Sequence, residues 1–241
     1  MLTEDELKLL FWEEMTPLSP FDVPVMEGDL EATEWLIQLF DAKGLKWRDD
    51  GGRGLSRLAA GRGKIESLTS LRTNGCPWDE ATCACAALGG HLEVLKWARQ
   101  NGCPWGEETC TAAAQGGHLE LLQWARENGC PWNETTCVVC ERAAMGGNLE
   151  VLKWARQNGC EWDAGTCEFA AWRGNLEVLQ WAHQNGCPWD EWTCVAAAEG
   201  GHLEVLQWAR QNGCPWDERA WLEALTRCRP YLLEHGCPGA R

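Results

Sequence analysis

Apolar positions along this chain recur in short blocks, and the blocks themselves repeat. In HLELLQWAR (118–126), Leu119, Leu122 and Ala125 follow at i, i+3 and i+6, with Leu121 and Trp124 widening the stripe. That spacing predicts an amphipathic helix with one buried face. Ahead of it, ETCTAAA (108–114) predicts a shorter helix of small side chains, and a glycine pair separates the two. The two-helix block is copied at 75–101, 102–128, 129–158, 159–185 and 186–212, with a period of 27 residues except for one copy of 30. A fixed period in this range marks an array of stacked repeats, each burying its apolar face against the next.

Polar residues punctuate the blocks at constant places. His91, His118, Asn148, Asn175 and His202 stand just before the second helix. Asparagine there is expected to cap it, and the glutamate two residues on sits near the positive helix end. Asn-Gly follows that helix in every regular copy (Asn101-Gly102, Asn128-Gly129), as a left-handed stop would. Asp79, Asn133, Asp163, Asp190 and Asp217 are placed to cap the first helix. Glu80, Glu107, Glu134, Glu191 and Glu218 stand in its first turn, an acidic position that only the 159–185 copy, with Ala164, lacks.

With these landmarks in place, the chain resembles the ankyrin-repeat family. GHLEVLKWAR corresponds to that family's second helix, GCPWD to its "GADVN" turn, and ETCTAAA to its "TPLHLAA", with Thr109 at the proline position and Cys110 at the first leucine. The resemblance covers 21–241. Ankyrin units run about 33 residues. The shortfall falls between GCPW and the first helix, where the family carries a β-hairpin finger. The resemblance therefore implies an all-α, ankyrin-like helical-repeat solenoid with shortened or absent fingers and about eight helix pairs, caps included. Degenerate units occupy 21–74, the regular copies follow, and 213–241 is the C-terminal cap. A loop is expected at RDDGGRG (48–54). Residues 1–20 lie outside the array and read as an amphipathic helix and a proline-rich connector.

Fifteen cysteines and seventeen tryptophans in 241 residues change the picture only where they break the repeat. The cysteines recur at equivalent positions, and copies on adjacent repeats are expected about 10 Å apart, beyond the roughly 7 Å Cα limit for a disulfide. They read as small buried apolar residues in a reducing compartment. Cys137-Val-Val-Cys140 has no second pair at finger spacing, so no metal and no cofactor is expected. Two tryptophan series, Trp97, Trp124, Trp154, Trp181, Trp208 and Trp78, Trp105, Trp132, Trp162, Trp189, Trp216, belong to the framework.

A net charge of −15 argues against nucleic acid and anionic membranes as partners. There is no nucleophile–base pair and no phosphate loop, which points away from an enzyme. Without a signal-like leader or apolar span in the sequence, the chain is expected inside the cell, in cytoplasm or nucleus. The Asn133-Glu134-Thr135 sequon is then a variant of the Asp-Glu turn.

What remains is protein–protein interaction. The resemblance implies a partner on the concave side formed by loops and first helices. Repeat-to-repeat variation there singles out Glu108, Thr111, Gln115, Glu168, Trp172, Trp192 and Glu199 as candidate contacts. Trp172 and Trp192 stand outside both framework series and are expected on neighbouring repeats, flanked by Glu168 and Glu199. The acidic surface suits a protein partner with a basic face, and the chain is expected to be a monomer. Alternatives are a substrate adaptor in a degradation complex, a thiol or metal sensor, and a plain spacer.

Overall fold

The computed structural model describes residues 49–132 and 138–240, with isolated positions at 30, 33, 34, 37 and 38, all helical. The N-terminal helix and connector expected at 1–20 lie outside the described residues, as do Cys137 and the sequon at 133–135. The chain divides into two compact units, Met1–Trp105 and Gly106–Arg241. Fourteen helices and no strand are delimited among the described residues, in keeping with an all-α fold without fingers.

In the first unit the helices are α1 (Asp49–Gly61), α2 (Ile65–Thr73), α3 (Glu80–Leu88) and α4 (Leu92–Gln100). α1 packs on α3, and each first helix lies along its own second helix. Helix α1 starts at Asp49, so the loop expected at 48–54 is helical almost throughout. Further along the same helix, Arg57 pairs with Asp79, the cap residue of α3.

The second unit holds five helix pairs. They are α5 (Glu107–Gly116) with α6 (Leu119–Glu127), α7 (Val138–Gly146) with α8 (Leu149–Gln157), α9 (Ala164–Trp172) with α10 (Leu176–Gln184), α11 (Glu191–Glu199) with α12 (Leu203–Gln211), and the short pair α13 (Glu218–Leu222) with α14 (Arg229–Glu234). The first helices stack directly, α5 on α7, α7 on α9, α9 on α11 and α11 on α13. Their inward positions are Thr, Cys and Ala, such as Thr166, Cys167, Ala170 and Ala171, all fully enclosed. Small side chains let the backbones approach. A Cβ on Gly146 would strike the carbonyl oxygen of Gln115, and one on Gly200 that of Trp172, so glycine is required at both.

In the second unit α6, α8, α10 and α12 each bury a Val/Leu–Leu–Ala triad: Leu121, Leu122 and Ala125 in α6, Val151, Leu152 and Ala155 in α8. Leu119, expected on the buried stripe, is only half-buried, and Leu121 takes its place. Each fully enclosed leucine contributes about 1.5–3 kcal/mol of transfer energy, the main favourable term of these nine-residue helices.

The caps follow the sequence on one side of the repeat and depart from it on the other. Asp163, Asp190 and Asp217 accept the backbone N–H two residues on, at 2.9–3.0 Å, closing the first helices as expected. The glycine after each second helix is left-handed (Gly129 at φ 79°, Gly186 at 83°), also as expected. Asn148 and Asn175 do not cap their own helices. Their amides reach back one repeat instead. Asn148 Nδ2 donates to the carbonyls of Ala114 and Gln115 at 2.9 and 2.8 Å, and Asn175 Nδ2 to those of Ala144 and Met145 at 2.8 and 3.1 Å. Carbonyls at the end of the preceding first helix have run out of helical donors, and the asparagine amide supplies N–H groups to them. His91 does the same in the first unit, its Nε2 lying 3.2 Å from the carbonyl of Gly61.

Candidate interaction surface

Two edges of the second unit differ in how they use large side chains. On the second-helix edge the two tryptophan series interlock. Trp154 meets Trp132 edge-on at 5.8 Å, Trp181 meets Trp162 at 5.7 Å, Trp208 meets Trp189 at 5.8 Å, and Tyr231 takes the tryptophan place against Trp216 at 6.4 Å. The guanidinium of Arg126 lies over Trp132, that of Arg156 over Trp162 and that of Arg210 over Trp216, at 4.1–4.6 Å. Arg156 and Arg210 also donate to the carbonyls of Cys160 and Cys214 in the turn. In the remaining repeat His183 stacks on Trp189 at 3.7 Å. The first unit carries the same device in Arg72 over Trp78 and Arg99 over Trp105. These rings are half-buried, and flat cation–π cover does what full enclosure would otherwise do.

The seven candidate contacts all fall on the first helices of the second unit, but not in one cluster. Glu108 and Trp192 stand at the second position of α5 and α11, near their N-termini. Gln115, Trp172 and Glu199 stand at or next to the C-terminal ends of α5, α9 and α11. Thr111 and Glu168 lie between. A nine-residue helix is about 13 Å long, so the two tryptophans belong to opposite ends of the stack rather than to one flanked patch. Both are exposed, Trp172 at 38% and Trp192 at 43%. Thr111 turns its hydroxyl to the carbonyl of Glu108 at 3.0 Å. Gln115 is half-buried, and its carbonyl is taken by Asn148.

Charge separates the two ends further. Trp192 is covered by the guanidinium of Arg219, 4.1 Å from its ring, and Arg219 is held in turn by Glu191 and Asp217. This arginine was missed from the sequence because it belongs to the following, altered repeat. Trp172 has Arg173 over its ring at a longer 5.5 Å, and between the two ends carboxylates gather. Burial and then the charges of Asp190, Glu199 and Asp163 push the Glu168 carboxyl above its ordinary value. Burial and Asp163 do the same to Glu141, with Arg142 opposing. Glu141 was overlooked among the variable positions because the extra residues of its 30-residue copy shift the register; counting back from Gly147 places it in line with Thr111 and Glu168.

The family profile described as ankyrin repeats in many copies matches residues 110–156 and 140–183. Over 110–183 the repeats match the ankyrin pattern. Among solved structures, the crystal structure of the human ASB11 ankyrin repeat domain is similar, with a TM-score of 0.54 and 18% identity over 76% of this chain and 98% of that one. At that identity the likeness is one of fold. No curated protein matches the sequence.

The cysteines occupy two places in each regular repeat, and the structure pairs them in a way that comparison of like positions does not reveal. The thiol on a first helix meets the turn thiol of the next repeat: Cys110 with Cys130, Cys167 with Cys187 and Cys194 with Cys214 in the second unit, and Cys83 with Cys103 in the first. Each turn thiol then donates to the carbonyl of the previous cap residue, as Cys130 does to Gly106 and Cys187 to Asp163, at 3.3–3.4 Å. Cys140 and Cys160 stand at the same two positions and are likewise enclosed. Ser56 holds the first-helix position opposite Cys76, 3.5 Å away. The hydrogen bond shared within each pair, together with burial, drives the thiols of Cys103, Cys110, Cys187 and Cys194 far above the ordinary range, and burial pushes Cys76 up to about 11. Among the described residues there is no disulfide, and no group of three or more His, Cys, Asp or Glu is arranged to hold a metal.

Proposed function

We propose that the chain is a non-enzymatic interaction scaffold that binds a protein partner along the loops and first helices of residues 106–241. Ankyrin repeats generally mediate protein–protein contacts, and the described helices are neither long nor apolar enough to cross a membrane. The observation that carries the reading is the pair Trp172 and Trp192, two rings left exposed where other repeats have small, polar or aliphatic residues. Exposed tryptophan beside charge is the composition of an interface hot spot. Two sub-sites are implied: Trp172 with Gln115 and Glu199 at one end of the stack, Trp192 with Glu108 at the other, and Thr111 and Glu168 between. The partner presents a basic face to the row of Glu168, Asp190 and Glu199, whose mutual repulsion a cation relieves. The scaffold works as a monomer inside the cell.

Affinity capture followed by mass spectrometry, with the captured protein then purified and titrated, tests this. Binding should weaken as salt is raised and drop at least tenfold in Glu168→Lys/Glu199→Lys. A partner whose affinity ignores both salt and that charge reversal would show that the acidic row is only a solvated face.

A further inference from the structure

We propose that each thiol pair is an oxidation site at which a hydroperoxide closes a disulfide between one ankyrin repeat and the next. The placement is repeated rather than incidental. Cys83 with Cys103, Cys110 with Cys130, Cys140 with Cys160, Cys167 with Cys187 and Cys194 with Cys214 are all 20 residues apart and join a first helix to the turn that follows its second helix. The turn member already has a fixed direction, since its S–H points at a cap carbonyl 3.3–3.4 Å away in Cys103, Cys130, Cys187 and Cys214. A disulfide across each pair needs no change in the order of the helices.

Burial selects among the reactions open to a dithiol. A metal held by two thiolates would keep charge in an enclosed site with no third ligand, whereas a disulfide is neutral and leaves nothing to desolvate. One thiol attacks the peroxide, its proton leaves with the departing oxygen as water, and a sulfenic acid forms. The second thiol then attacks that sulfur, the S–S bond forms, and the sulfenic oxygen leaves with both protons as a second water in the case of hydrogen peroxide. The pair loses two electrons and two protons to the peroxide. Because the resting thiols are enclosed, attack starts when a repeat opens locally, and the cross-link then ties that repeat to its neighbour. Ser56 opposite Cys76 is a built-in control at which no such bond can form.

The test is independent of any protein partner. The native chain is incubated with excess hydrogen peroxide until its thiol titre is constant, alkylated, and peptide-mapped without reduction. The expected result is loss of ten of the fifteen thiols, cross-links only at the five pairs named, Cys76 still alkylated, and a higher melting temperature that dithiothreitol reverses. Cys103→Ser should remove its own cross-link and leave the other four. An unchanged titre, oxidation ending in sulfinic or sulfonic acids, or cross-links between other cysteines would each overturn the proposal.

Discussion

On the second-helix edge of residues 106–241, Trp154, Trp181 and Trp208 each lie edge-on to the turn tryptophan before them, at 5.7–5.8 Å, and an arginine or histidine covers that turn ring. On the first-helix edge Trp172 and Trp192 keep 38% and 43% of their surface in water. The same residue type is framework on one edge and surplus on the other. Recurrence marks the difference: a ring that returns every repeat has a partner that returns with it, while a ring that appears once has none supplied by the repeat. Trp192 shows how a neighbour can respond, since Arg219 has settled over it with Glu191 and Asp217 behind.

If that contrast is real, the largest loss should come from the framework edge. Trp154→Ala removes a half-buried ring and exposes Trp132, and should lower stability by about 2–3 kcal/mol in denaturant unfolding followed by far-ultraviolet circular dichroism. Trp172→Ala should cost less than about 1 kcal/mol in the same experiment. Equal losses would erase the distinction. A somewhat smaller effect is expected where one repeat is fastened to the next. Asn175→Ala removes the side-chain donor from the carbonyls of Ala144 and Met145, leaving Ala144 only the N–H of Gly147, and should cost about 1–3 kcal/mol. Asn175→His should restore part of it, since His91 spans the same gap in its own repeat.

That last residue also shows where the sequence was and was not legible. Period, helix pairs, absent fingers and left-handed glycine stops follow from local patterns, because each is decided within one repeat. The asparagine was read as a cap for its own helix since capping is a local rule, yet its amide answers carbonyls about 30 residues earlier. The thiol pairs escaped for the same reason. Comparing like with like aligned Cys110 with Cys83 and Cys140, whereas the contact joins unlike positions of successive repeats. Repeat-to-repeat comparison finds the variable positions but does not separate the two ends of the stack. Helix length, not composition, decides that.

The smallest effect on stability is electrostatic and has opposite signs at two carboxylates. Burial and neighbouring acids raise Glu168 in the folded state, so the folded chain binds a proton more readily than the unfolded one between the ordinary glutamate value and the raised one. Glu168 therefore costs stability at neutral pH, and that cost disappears as pH falls through this interval. Glu168→Gln should stabilise at pH 7 by well under about 1 kcal/mol, with no gain below the ordinary glutamate range. Asp79, lowered chiefly by its hydrogen bond to Arg57, behaves oppositely. Its contribution is complete above the ordinary aspartate value and is lost as pH falls through the lowered one. Asp79→Asn should destabilise at neutral pH and be neutral in strong acid, as thermal melts across pH would show.

The most direct measurement compares partner binding with melting temperature in Trp172→Ala/Trp192→Ala, using the protein identified by capture and titrated in purified form. Truncating a hot-spot ring costs about 2 kcal/mol or more of affinity, roughly thirtyfold. The account predicts at least that loss for the double variant, with a melting temperature within a few degrees of the parent, the small drop coming from the contact of Trp192 with Arg219. An intact affinity beside a melting temperature lowered as far as by Trp154→Ala would contradict it, and would return both rings to the framework.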